Sequence, residues 1–135
     1  MKIYFAGSIR GGREDKDIYF SIIEELKKYG NVLTEHVGNA GLSEKGENLE
    51  VGYMFKRDMD WVRESDLLVA EVTTPSLGVG YEIGQAESFG KKIICFYREV
   101  PGKSLSGMIS GNHYIKLFKY ESIDDIVDIL SREIK

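Results

Sequence analysis

Two runs in this chain, Leu67-Leu68-Val69-Ala70-Glu71-Val72 and Ile93-Ile94-Cys95-Phe96-Tyr97, are apolar at nearly every position. A strand with one wet face alternates apolar and polar residues, so a continuous apolar run asks for cover on both faces. The segment between them ends a helix at about Phe89, and parallel neighbours need such a crossover. The same strand-then-helix order repeats along the chain. Residues 2–6 read as a strand, 17–29 as a helix with Ile18, Ile22, Leu26 and Tyr29 at helical spacing, and Val32 to Val37 as a second strand. Tyr114–Phe118 reads as a fifth strand, and Ser122 caps a last helix with Ile123, Ile126, Val127, Leu130 and Ile134 inward. The expected architecture is α/β: a flavodoxin-like doubly wound five-stranded parallel sheet with helices on both faces. With 135 residues the chain has material for one core, so residues 1–135 are expected to form a single domain.

The helix after the second strand carries an anomaly. Val51, Met54, Phe55, Met59 and Val62 mark a buried helix stripe at offsets 0, 3, 4, 8 and 11, and the missing offset, 7, is Asp58. A carboxylate on a buried stripe is costly unless something satisfies or uses it. Asp60, by contrast, points to the opposite side of that helix. A second acid lies in the turn Pro75-Ser76-Leu77-Gly78-Val79-Gly80-Tyr81-Glu82, which leaves the strand ending at Val72 at the sheet's carboxyl edge, where such folds bind ligands. Placed at the mouth of a helix, Glu82 either complements the macrodipole or reacts. With Asp58 nearby, paired carboxylate chemistry follows: the dipole keeps Glu82 ionised as nucleophile, and partial burial favours a proton on Asp58 as acid.

The loop Gly7-Ser8-Ile9-Arg10-Gly11-Gly12-Arg13 joins the first strand to the first helix, where free amides favour an anion. It is either such a cradle or a tight glycine turn with surface arginines. Tyr4 and His36 are either structural or turned toward a ligand at that edge. Residues 38–48 read as a surface loop near the ligand, and 98–112 as a long loop with one helical turn around Leu105–Ile109. Neither glycine loop has dinucleotide spacing, and Tyr97 stands where a P-loop before Lys103-Ser104 needs glycine.

Charge and composition exclude several classes. A net charge of −4 without a basic cluster argues against a nucleic-acid polymer as partner. The apolar runs are too short to span a membrane, and the N-terminus enters a strand without a secretory signal, so the cytoplasm is the expected compartment. One cysteine and two histidines cannot build a Cys/His metal centre, Glu35 and Glu71 lack ligand spacing, and no metal site is expected. Cys95, inside an apolar run, reads as a buried inert thiol.

Taken together, Tyr-Phe-Ala-Gly-Ser-Ile-Arg-Gly-Gly-Arg at 4–13, Thr-Glu-His at 34–36, Asp-Met-Asp-Trp at 58–61, Ser-Asp-Leu-Leu-Val-Ala-Glu-Val-Thr at 65–73 and Pro-Ser-Leu-Gly-Val-Gly-Tyr-Glu at 75–82 resemble the nucleoside 2-deoxyribosyltransferase superfamily, most closely its 2′-deoxynucleoside 5′-phosphate N-hydrolase branch. The resemblance spans residues 4 to about 111. It implies hydrolysis of a deoxynucleoside monophosphate by water to free base and 2-deoxyribose 5-phosphate, with no cofactor. By the same resemblance Glu82 is the nucleophile and Asp58 the acid and then base. Gly7, Ser8, Ile9, Arg10, Ser76 and Gly78 would hold the phosphate, Tyr4 and His36 would border sugar and base, and Ser106 would complete the neighbouring site of a homodimer. The chemistry parallels a retaining glycosidase, with carboxyl groups about 5 Å apart. The rival readings are a transferase passing deoxyribose between bases and a non-catalytic nucleotide sensor.

Overall fold

The computed structural model describes residues 1–9, 15–35 and 50–134. In these residues five strands and five helices follow one another: β1 Lys2–Ala6, α1 Lys16–Leu26, β2 Asn31–Val32, α2 Val51–Glu64, β3 Leu67–Glu71, α3 Leu77–Ser88, β4 Lys92–Tyr97, α4 Gly107–Ser110, β5 Lys116–Lys119 and α5 Ile123–Glu133. The sheet order is β2-β1-β3-β4-β5, every pair parallel. This is the doubly wound flavodoxin-like order, and its ligand crevice lies outside the carboxyl ends of β1 and β3, where the winding reverses. The loops after these two strands begin at Gly7 and at Val72, so topology alone brings the two glycine-rich turns together.

The period of two divides the strands between two cores. Ile3, Phe5, Leu67, Val69, Ile94 and Phe96 pack against α1 and α5. Tyr4, Ala6, Leu68, Ala70, Ile93 and Cys95 pack against α2 and α3. Each fully buried large side chain contributes roughly 1.5–3 kcal/mol, which is why strands covered on both faces carry hardly a polar residue. Cys95 is buried, and burial pushes its thiol up to about 12, as an inert core position requires. No helix among the described residues is long and apolar enough to cross a membrane.

Several expectations need correction. The second strand is only Asn31–Val32 rather than a run from 32. Past it, Thr34 replaces ladder bonds with its side chain: its hydroxyl accepts from the Phe5 amide at 2.8 Å and donates to the Phe5 carbonyl at 2.7 Å. The fifth strand sits two residues later at its start than the apolar run suggested, and the short helix begins after Ser106 rather than at Leu105. The α2 stripe is buried only at Met59 and Val62, whereas Val51 and Phe55 are exposed. Helical spacing reports that one side is apolar and leaves open what covers it.

Candidate active site

Glu82 is not at the mouth of its helix. Ser76 caps α3, accepting the Val79 amide at 3.2 Å, and the helix starts at Leu77, so Glu82 is its sixth residue. The macrodipole acts mainly within the first turn; desolvation acts on Glu82 more strongly. Burial raises its carboxyl to about 7, the hydrogen bond from Tyr4 opposes the rise, and the charge of Asp58 adds to it. The expectation that the helix dipole keeps Glu82 fully ionised is therefore overturned. Part of the residue still meets solvent, but its carboxyl end lies deep enough for burial to dominate.

Tyr4, in the middle of β1, points from the α2/α3 side of the sheet and donates its hydroxyl to Glu82 Oε2. Burial pushes its phenol far above the ordinary value, and the Glu82 and Asp58 charges push the same way. It stays a donor throughout the working pH range. Asp58, on α2, is half-buried and ion-paired at 2.9 Å with Arg57, whose guanidinium also covers the Trp61 ring at 4.6 Å. Asp60 is exposed and held by Lys56 at 2.8 Å and Arg63 at 3.3 Å, with its carboxyl kept low chiefly by the Lys56 hydrogen bond. The two aspartates do face different surroundings, and Tyr4, Asp58 and Glu82 meet as one group.

The loop after β1 is pinned from below. A Cβ at Gly7 would lie 2.9 Å from the Tyr19 ring, so this position has to be glycine for the loop to settle on α1. Tyr19 in turn accepts the Ser8 amide at 3.1 Å. Ser8 is fully buried, and its hydroxyl has no hydrogen-bond partner among the described residues. A buried unpartnered hydroxyl costs about 1–3 kcal/mol, which a polar ligand would remove. Ile9 packs at the edge of the α1/α5 core. Gly78 lies in the first turn of α3, where, among the described residues, a Cβ would meet only Ser76 Oγ at 3.8 Å. Ser106 is exposed and caps α4, accepting the Met108 amide at 3.1 Å. Arg10, His36 and the loop expected over 38–48 lie outside the described residues.

Behind these loops lies a polar group that sequence reasoning missed. Glu71 ends β3 fully buried and accepts from the Thr73 amide at 2.8 Å, the Thr73 hydroxyl at 2.7 Å and the Tyr120 hydroxyl. Arg98 joins it through Tyr120 at 3.2 Å and reaches Asp15 at 2.6 Å. The one available signal was the lone charge in an otherwise apolar strand. Among the described residues no group of three His, Cys, Asp or Glu side chains is placed to hold a metal ion.

The geometry is a buried carboxyl held by a tyrosine beside a second carboxylate, with polar groups from two loops nearby. The chain that builds this site is similar to known proteins. The model of the family described as nucleoside 2-deoxyribosyltransferase matches residues 3–112. A putative 2′-deoxynucleoside 5′-phosphate N-hydrolase 1 of Nematostella vectensis is 50% identical over 133 residues, covering 93% of this chain and 90% of that protein. A 5-hydroxymethyl-dUMP N-hydrolase of Danio rerio is 50% identical over 133 residues, covering 96% and 93%. In fold, the chain is similar to a solved CMP N-glycosidase of Clostridium botulinum, with TM-score 0.68, 24% identity, and 97% and 99% of the two chains covered.

Proposed function

The chain belongs to the nucleoside 2-deoxyribosyltransferase family, and from that premise we propose that it hydrolyses the N-glycosidic bond of 2′-deoxynucleoside 5′-monophosphates through a covalent glycosyl-Glu82 intermediate. The observation that carries this reading is the meeting of Glu82, Tyr4 and Asp58 on the α2/α3 side of the sheet. In the first step a Glu82 carboxylate oxygen attacks the anomeric carbon, the C–N bond breaks, and the departing base takes its electron pair and a proton from Asp58. In the second, Asp58 takes a proton from water as that water's oxygen attacks the same carbon and releases Glu82. The products are free base and 2-deoxyribose 5-phosphate, and Asp58 ends protonated as it began.

Burial assists the first step. A carboxylate that desolvation has already raised to about 7 loses its charge when it becomes an ester, so the ground state is disfavoured relative to the intermediate. Tyr4 engages one carboxylate oxygen and leaves the other to react. The unpartnered Ser8 hydroxyl and the first turn of α3 at Ser76 and Gly78 suit a phosphate. Relatives named for 5-hydroxymethyl-dUMP make that nucleotide the first substrate to test.

The family's description favours a second reading, base exchange. Incubation with a deoxynucleoside monophosphate, with and without an acceptor base, separates the two: free base and sugar phosphate in both tubes supports the hydrolase, exchanged nucleotide supports the transferase, and neither supports a sensor.

We also propose a homodimer in which Ser106 completes the partner's phosphate site. Val51 and Phe55 of α2, Leu77 and Tyr81 of α3 and Met108 of α4 are large apolar residues exposed on the α2/α3 side, Leu77 at 97% and Met108 at 82%, and a second copy would cover them. Mixing Glu82→Gln with Ser106→Trp under subunit exchange should restore activity toward about a quarter of wild type, because half of random pairs hold one intact site. A strictly monomeric active enzyme would remove the dimer and leave the Glu82 chemistry standing.

A further inference from the structure

Asp15 stands at the N-cap of α1, a position where aspartate ordinarily accepts its own helix's amides. Here it makes no side-chain cap bond. Both of its oxygens turn away across the sheet edge: Oδ1 accepts from Arg98 Nη2 at 2.6 Å and Oδ2 from the Thr74 hydroxyl at 3.1 Å. A helix has given up local capping for a contact 83 residues distant.

Arg98, just past β4, is the centre of this arrangement. Its amide donates to the Thr73 hydroxyl at 2.9 Å, Nη2 to Asp15, and Nη1 to the Tyr120 hydroxyl at 3.2 Å. Lys103 adds a contact from the same loop, donating to the Thr74 hydroxyl at 2.9 Å. The joined segments are those that lead to the proposed phosphate groups. Asp15 closes the loop opened by Ser8, Thr73 and Thr74 precede the Ser76 cap, and Lys103 precedes Ser106. We propose that Arg98, acting through Asp15 and Thr73, is a positioning residue that holds the N-terminus of α1 and the loop after β3 at the separation a 5′-phosphate requires, an inference that rests on the functional reading above.

The alternative is a plain structural ion pair. Buried pairs are weak contributors to stability against apolar replacements of the same volume, and a purely structural loss would lower Tm and kcat together. A positioning loss acts on phosphate binding and spares the chemical step at Glu82, which Arg98 does not touch. The planar fork also matters: Arg98 serves Asp15 and Tyr120 with two nitrogens at once, and a lysine ammonium can replace only one of these contacts in that geometry.

The test compares wild type with Arg98→Met, Arg98→Lys and Tyr120→Phe. It measures kcat and KM on a deoxynucleoside monophosphate and, by calorimetry, the Kd of 2-deoxyribose 5-phosphate. For Arg98→Met, KM and Kd should both rise by about tenfold, the equivalent of one lost charge-assisted hydrogen bond, with kcat within about threefold. Arg98→Lys should recover part of that loss. Tyr120→Phe keeps the ring and its packing, removes the hydroxyl that Arg98 uses, and should move KM in the same direction by less; it carries the test if Arg98→Met does not fold. Unchanged Kd in every folded variant, or kcat falling as far as KM rises, overturns the proposal. A wild type that binds no sugar phosphate removes this reading and the proposed function together, whereas a wild type that binds it and variants that bind equally remove only the role of Arg98.

Discussion

Glu71 and Glu82 make an instructive pair. Both rise from α/β elements at the same sheet edge, both have carboxyls raised mainly by burial, and each accepts a hydrogen bond from a tyrosine, Tyr120 or Tyr4. They differ in company. Each also faces a like charge, Asp15 or Asp58, but Glu71 adds two bonds from Thr73. A satisfied buried carboxylate braces the loops around it; one with fewer donors beside another acid is the better candidate to react. Burial alone therefore does not identify a reactive group, and the balance of donors against like charges does.

The sharpest way to break this contrast is to neutralise each carboxylate in turn. Glu82→Gln should reduce turnover by about three orders of magnitude or more with the fold intact. Glu71→Gln should leave kcat of the folded enzyme within about threefold and instead destabilise the protein by about 1–3 kcal/mol, since its amide group would face donors. Denaturant titration and steady-state rates on both variants decide, and a reversal of the two phenotypes would undo the comparison.

The neighbours come next. Asp58→Asn should lower kcat by roughly a hundredfold or more, as removal of a general acid does, and Asp60→Asn far less, since Asp60 faces Lys56 and Arg63 in solvent. Greater sensitivity at Asp60 would mean that the acid had been assigned to the wrong side of α2.

Tyr4→Phe should lower kcat by about tenfold and also move the pH profile. The acid limb of kcat/KM in wild type should fall near Glu82's value of about 7. The Tyr4 hydrogen bond lowers that value, so its removal should shift the limb to higher pH. Tyr120→Phe should leave the limb in place.

The smallest effect is on stability. Glu82 is raised in the folded state from an ordinary 4.5 to about 7, so between those values the native protein holds more proton than the unfolded chain. Its contribution is fully present below about pH 4.5 and is lost as pH rises through about 7. Glu82→Gln should therefore raise Tm relative to wild type at pH 8, with a smaller difference at pH 5. Equal differences at both pH values would place the carboxyl in solvent.

Much of the fold was legible because its cause is local. The continuous apolar runs that became β3 and β4 announce two-sided burial, and Gly7 after β1 and Gly90 before β4 announce turns. The misreadings share a different cause. β2 is short because Thr34 binds Phe5, 29 residues away, and part of the α2 stripe is exposed because no element among the described residues buries Val51 and Phe55. The proposed site was legible as a list, Tyr4, Asp58 and Glu82, but not in its electrostatics. The dipole argument assumed that α3 starts next to Glu82, and the cap at Ser76 places the start five residues earlier, at Leu77.

What the sequence determined by itself was therefore the α/β alternation, the doubly buried sheet and the residue types at its carboxyl edge, since periodicity and turn chemistry act over a few residues. Only the tertiary structure decided which carboxyl is short of partners and which is fully bonded. Those outcomes depend on Tyr4 meeting Glu82 across 78 residues, Tyr120 meeting Glu71 across 49 and Arg98 meeting Asp15 across 83, and desolvation and hydrogen bonding at such distances along the chain exist only once the sheet has brought its loops together.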